Sequence, residues 1–244
     1  MTGSRGRARI GVLVPFTNSN LEPDMQLMRP DGVSIHFARL GGYDEDAIPD
    51  DTQMADLGNA PLDEPLRLLA GVRPDVMVYG CTSATLTHGP SFDRDLAARI
   101  AEQSGARTVT AAGALVHALK VLGASRIGFA SPYVGAINRQ AVSFLADCGV
   151  ETVSLAEVEG ELDNAGQGAL TPDEVFELGR RADSADAEAI VLSCTDMRSV
   201  EVIGRLEKEL GKPVVTSNQA MMYQAMQALD LATAGHPFGR VFDV

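Results

Sequence analysis

Short apolar runs separated by amphipathic stretches recur along the chain. Residues 10–14, 33–38, 75–79, 107–110, 127–130, 152–155, 190–192 and 214–215 are β-branched or apolar and bounded by glycine, proline or small polar residues, the signature of buried strands. Between them the apolar period changes to that of helices. Thr17-Asn18-Ser19-Asn20 caps a helix over 21–28 that Pro30 stops, and Leu115, Leu119 and Leu122 mark the buried face of one over 112–122. Further helices are predicted over 62–70, 92–101, from about 131 to 147, from Thr171-Pro172-Asp173-Glu174 onward, over 199–210 and over 218–231, with loops at 41–51 and 160–170. This strand-helix alternation predicts an α/β protein with mainly parallel sheets and right-handed crossovers.

The pattern repeats. Asp75-Val76-Met77-Val78-Tyr79-Gly80-Cys81-Thr82-Ser83 returns as Glu188-Ala189-Ile190-Val191-Leu192-Ser193-Cys194-Thr195-Asp196, at an offset of 113 (81 to 194). Arg9-Ile10-Gly11 with Pro15-Phe16 returns as Arg126-Ile127-Gly128 with Pro132-Tyr133, and Gly105 to Thr110 returns as Gly211 to Thr216. Three echoes in one order indicate two similar α/β halves related by pseudo-two-fold symmetry. We place the first half at 1–115, the second at 116–225 and a C-terminal helix end and tail at 226–244. Ligands of open α/β sheets bind beyond the carboxyl ends of the strands, so Cys81 and Cys194 are expected on opposite sides of one cleft.

Composition narrows the classes of partner. A chain of 244 residues with 45% hydrophobic and 22% charged residues is long enough to bury a substantial core. A formal net charge of −13 leaves no basic stripe to replace phosphate counterions, which argues against nucleic acid. The apolar run at residues 10–16 is too short for a signal peptide core or a membrane span, and an odd count of three cysteines argues against a disulfide framework. A cytoplasmic enzyme without membrane partners is expected. Asp44, Glu45, Asp46, Asp50 and Asp51 form an acidic loop whose spacing fits no calcium site; a solvated loop or a cover over the cleft is the expectation.

The candidate chemistry lies in the repeated cysteines. A thiol at the start of a helix meets the positive end of the helix dipole, which lowers its pKa and makes it both nucleophile and base. Two thiols across a cleft suit chemistry at a carbon flanked by a carboxylate, and the same pair could form a disulfide or hold a metal. No CxxC is present and His36, His88, His117 and His236 show no ligand spacing, so no metal is expected. Without a phosphate-cradling glycine loop or dinucleotide fingerprint, no cofactor is expected either. Cys148, which has no echo, reads as a core thiol, and His117 as a surface histidine. His88 could assist as a base but reads better as part of the loop before Pro90, and Met221, Met222 and Met226 as core or subunit contact.

Pro15-Phe16-Thr17-Asn18, Gly80-Cys81-Thr82-Ser83, Ser131-Pro132-Tyr133, Asp163-Asn164 and Ser193-Cys194-Thr195-Asp196-Met197-Arg198 resemble the aspartate/glutamate racemase superfamily, in particular its maleate cis-trans isomerase and arylmalonate decarboxylase branch. The resemblance spans nearly the whole chain. It implies Cys81 as nucleophile and Cys194 as the opposing acid or base, with Asn18, Tyr133 and Asn164 holding substrate carboxylates and Thr82, Ser83 and Thr195 completing the two carboxylate pockets. It further implies a cofactor-independent isomerase of maleate or a related unsaturated dicarboxylate, assembled as a homodimer or higher homo-oligomer. A two-cysteine racemase of an amino acid or hydantoin is the alternative within the superfamily, and a non-catalytic carboxylate binder the alternative outside enzymes. The decarboxylases of the branch need only the second cysteine, so Cys81 argues against that activity. Asp196 stands where the branch commonly carries an uncharged residue; an acid there repels an anionic substrate unless it points away or meets a substrate amine.

Overall fold

The computed structural model describes residues 8–43 and 45–244. Asp44 of the acidic loop and the N-terminal residues before Ala8 lie outside the described residues. Strands β1 (Ala8–Pro15), β2 (Val33–Leu40), β3 (Val76–Tyr79) and β4 (Arg107–Thr110) form one parallel sheet in the order β2-β1-β3-β4. Strands β5 (Arg126–Ser131), β6 (Glu151–Glu157), β7 (Ala189–Leu192) and β8 (Val214–Thr216) form a second parallel sheet in the corresponding order β6-β5-β7-β8. The central strands β3 and β7 are buried at every position, which explains why they read as continuous apolar runs rather than as alternation.

The echoes have local physical causes. Gly105 and Gly211 adopt left-handed backbone, φ 68° and 71°, at the ends of α5 (Pro90–Ser104) and α10 (Ile203–Leu210), a conformation that glycine reaches without strain. Five residues later Thr110 and Thr216 cap α6 (Ala111–Leu122) and α11 (Ser217–Ala228), their hydroxyls accepting from the N–H groups of Gly113 and Gln219. At Gly128 an added Cβ would lie 2.0 Å from the carbonyl oxygen of Ala182, so nothing larger fits there. Helix α11 packs along α6 and also against α1 (Leu21–Leu27), which ties the second half to the first.

Four expectations need correction. Residues 51–58, left without an element, form α2 (Asp51–Gly58), opened by a reciprocal cap between Asp50 and Gln53. The glycine-containing loop at 160–170 contains α8 (Asn164–Ala169), started by Asp163 accepting from Gly166. The helix expected from residue 199 begins as a single 3-10 turn at Val200–Val202 and becomes α-helical at Ile203. The last long helix stops at Ala228, and a 3-10 turn at Arg240–Asp243 buries Val241 and Phe242. The remaining helices are α3 (Asp63–Ala70), α4 (Thr82–Leu86), α7 (Gly135–Asp147) and α9 (Pro172–Arg181). Among the described residues no helix is long and apolar enough to cross a membrane.

Candidate active site

The ends of β3 and β7 carry Cys81 and Cys194, both buried and unpaired, into the same cavity between the two sheets. Cys81 occupies the N-cap position of α4 in extended backbone. Cys194 is different: Ser193 to Ser199 form an irregular turn, so only Cys81 opens a helix. The lowered thiol pKa expected from a helix start is absent as well. Burial pushes both thiols above their ordinary range, because a dry cavity disfavours the charged thiolate. At Cys81 the backbone N–H of Ala84 and the Ser83 hydroxyl, 3.7 Å from Sγ, oppose that rise. At Cys194 the Asp196 carboxylate adds to it, while the Asp196 N–H, 3.4 Å from Sγ, opposes it.

All the residues assigned to the site from sequence line this cavity, several of them already bonded to one another. Asn18 Oδ1 accepts from Leu21 N, the first residue of α1, at 2.8 Å, while its Nδ2 donates to Thr195 Oγ1 at 2.9 Å. Thr195 in turn donates to the carbonyl of Gly80 at 3.0 Å. One hydroxyl thus joins the loop after β1, the end of β3 and the turn after β7. Thr82 Oγ1 donates to Ser217 Oγ at 2.9 Å and Ser83 Oγ lies 3.0 Å from Met54 Sδ. The Tyr133 hydroxyl sits 3.5 Å from Ser193 Oγ.

Asn164 spends both ends of its amide on the loop after β2. Its Oδ1 accepts from the Tyr43 hydroxyl at 2.8 Å, and its Nδ2 donates to the carbonyl of Glu45 at 3.2 Å. Tyr43 also meets Phe16 edge to face, with ring centroids 5.4 Å apart. The acidic loop therefore covers the cleft and is fastened on its far side. The cavity left beneath it measures about 40 Å³, space for a few water molecules at most.

Asp196 turns toward the start of α1. Its Oδ1 accepts from the backbone N–H of Ser19 at 2.8 Å and of Asn20 at 2.9 Å, and from their side chains at 3.3 and 3.2 Å. Asn20 Nδ2 also reaches the carbonyls of Asp196 and Gly168. Sequence reasoning missed Tyr43, Met54 and Gln167, all of which line the cavity. They come from the loop after β2, from α2 and from α8, and the last two are where the element prediction was incomplete. The Asp50–Gln53 cap was the available signal for α2. Among the described residues the cavity is lined by no Lys, Arg or His, and no cluster of three or more His, Cys, Asp or Glu able to hold a metal occurs. His88 lies outside the cavity, stacked on Phe92 and 2.9 Å from the carbonyl of Ala55. His117 binds Gln227 at 2.6 Å, also away from the thiols.

The chain is similar over nearly all of its length to known proteins. It is 29% identical to a maleate isomerase of Nocardia farcinica over 97% of this chain and 96% of the relative. It is 27% identical to an arylmalonate decarboxylase of Bordetella bronchiseptica over 95% of this chain and 92% of that one. Among solved structures, a cysteine-to-serine mutant of the Nocardia farcinica maleate cis-trans isomerase with a covalently bound succinylcysteine intermediate superposes with a TM-score of 0.88, at 27% identity, over 97% of this chain and 98% of that one. Residues 10–242 match the model of the arylmalonate decarboxylase family, and the chain belongs to that family.

Proposed function

We propose that this protein is a cofactor-independent cis-trans isomerase of maleate or a closely related unsaturated dicarboxylate. The observation that carries the reading is the pair of buried thiols brought from the two sheet ends into one cavity, together with relatives named maleate isomerase, one of them with succinate bound covalently to cysteine. Cys81 loses its proton to water as the substrate displaces the cavity solvent, and the thiolate adds to one alkene carbon while the π electrons move onto the neighbouring carbon and its carboxylate as an enediolate. The Cys194 thiol gives its proton to that carbon, leaving a succinyl thioether. Rotation about the new single bond follows; Cys194 thiolate takes the proton back, the C–S bond breaks and the trans acid leaves.

The supporting groups follow from charge. Neutral donors stabilise the enediolate without drawing a proton from the cavity or quenching the thiolate. Asn18, Thr195, Thr82, Ser83, Tyr133 and Asn164 supply such donors. Their present bonds to one another and to the covering loop are the ones a substrate carboxylate exchanges for its own. The same reading carries a cytoplasmic homodimer or higher homo-oligomer; light scattering of the purified protein measures the assembly.

A proton NMR time course with maleate in heavy water tests the function. Fumarate appears with the unaltered protein and not with Cys81→Ala or Cys194→Ala. Maleate left unchanged by the unaltered protein overturns the reading.

A further inference from the structure

The two halves repeat Cys-Thr and then diverge at the next residue, Ser83 against Asp196. The divergence reaches both sulfurs. Beside Cys81 stands an uncharged hydroxyl, Ser83 Oγ at 3.7 Å, whose hydrogen is directed to Met54 Sδ at 3.0 Å. Beside Cys194 stands a carboxylate held in place by the amides of Ser19 and Asn20. Cys194 also has an acceptor aimed at it: Gln167 Oε1 lies 3.8 Å from Sγ. The Gln167 amide is oriented by its own Nε2, which donates to the carbonyl of Leu162 at 3.3 Å, so its oxygen faces the sulfur.

We infer that Asp196 and Gln167 are positioning residues that keep Cys194 a protonated thiol and so decide which of two near-equivalent cysteines donates the proton and which one attacks. A fixed negative charge disfavours a second one beside it, and an acceptor amide satisfies S–H but not S⁻. Each sulfur also accepts from backbone N–H, of Ala84 and Ser83 at Cys81 and of Asp196 at Cys194, but no carboxylate stands two residues after Cys81. The other ionisable groups facing Cys194 are Cys81 from the end of β3, Tyr133 from the turn after β5 and Tyr43 from the covering loop. Both tyrosines are held in their neutral form by burial; burial raises the Asp196 carboxyl as well, but the Ser19 and Asn20 donors oppose that rise, so Asp196 is the carboxylate among them. The assignment of a proton donor rests on the isomerase reading, whereas the protonation asymmetry itself is independent of any substrate.

The test is the pH dependence of iodoacetamide labelling at each cysteine, followed by peptide mass spectrometry on the full chain without substrate. In the unaltered protein Cys81 reaches half-maximal rate at lower pH than Cys194. Asp196→Asn keeps an oxygen for the Ser19 and Asn20 amides but removes the charge. It is expected to lower the Cys194 midpoint by about one pH unit, about a tenfold faster reaction at a given pH below the midpoint, with Cys81 unchanged. Gln167→Leu, which leaves the Asp196 clamp intact, is expected to move Cys194 in the same direction by a smaller step. An unmoved Cys194 in both variants overturns the inference, as does an equal shift of both cysteines, because a charge local to one thiol does not act equally on the other. Failure of the isomerase reading shows separately, as absence of fumarate with a labelling asymmetry that persists.

Discussion

The carboxyl ends of β3 and β7 started as the same design and are no longer equivalent. Both present a small residue, a cysteine and a threonine after a fully buried strand, and both small residues make the same backbone bond, Gly80 N to Leu13 O and Ser193 N to Ala130 O, each at 2.8 Å. Beyond that the first end opens a helix and the second an irregular turn that reaches back to α1. Duplication supplies two thiols facing each other; divergence of the flanking residues gives them different chemistry. A site with identical ends would have no means of choosing which sulfur attacks.

The largest effect is expected where that division is broken outright. Cys81→Ala and Cys194→Ala each lower maleate isomerisation by at least about a thousandfold, but the two losses differ in kind. Intact-mass spectrometry after incubation with maleate is expected to find a succinyl adduct on Cys81 in Cys194→Ser and none on Cys194 in Cys81→Ser. An adduct on Cys194 reverses the assigned roles.

A smaller effect sharpens the contrast between the first helices of the halves. Asp24 of α1 is buried and bonded to Asn218 Nδ2 at 2.7 Å, and desolvation raises its carboxyl to about 7 despite that bond. Asn218 also donates to the carbonyl of Thr195. The corresponding residue in α7, 117 positions on, is buried Ala141. Folding keeps the Asp24 proton that the unfolded chain loses, so its stabilising contribution is complete below the ordinary carboxyl pKa of 3.8 and is lost as pH rises to about 7. Asp24→Asn is expected to be more stable than the unaltered protein at pH 8 by up to about 4 kcal/mol. That advantage disappears toward pH 4 in urea titrations at the two pH values.

The third contrast is steric. A Cβ on Gly80 would lie 2.3 Å from Leu21 Cδ2 and 2.9 Å from the carbonyl oxygen of Leu13. Gly80→Ala is expected to cost about 2 kcal/mol through overpacking against backbone. Ser193, at the matching position, has its side chain accommodated beside Tyr133. Ser193→Gly is expected to cost no more than about 1 kcal/mol, and equal melting temperatures for the two variants would erase the steric difference.

Much of this was legible in the chain because it was written twice. The αL glycines at 105 and 211, the capping threonines at 110 and 216 and the cysteine strands each leave a residue-type requirement that a repeat makes visible. The fold class, both thiols and the polar residues that flank them followed from those repeats and from the family motifs. What stayed hidden came from segments with no echo and weak periodicity. Helix α2 is short, with only Met54 and Leu57 spaced as a buried apolar face, and α8 carries Gly166 and Gly168, so neither shows a sustained apolar stripe, yet they deliver Met54 and Gln167 to the cavity. The direction of the thiol pKa shifts was also unreadable, since desolvation depends on how completely two distant segments close over the sulfur.

The double use of Asn164 has a kinetic consequence. With its amide oxygen on Tyr43, its amide nitrogen on Glu45 and only about 40 Å³ beneath the loop, a four-carbon diacid needs more room than this arrangement leaves, and breaking the two Asn164 bonds is the direct way to make it. Binding then has two steps, and the observed association rate rises with ligand concentration only until it meets the loop's own opening rate, where it levels off. The same pair of bonds that holds the loop over the thiols sets a ceiling on how fast the protein can be loaded.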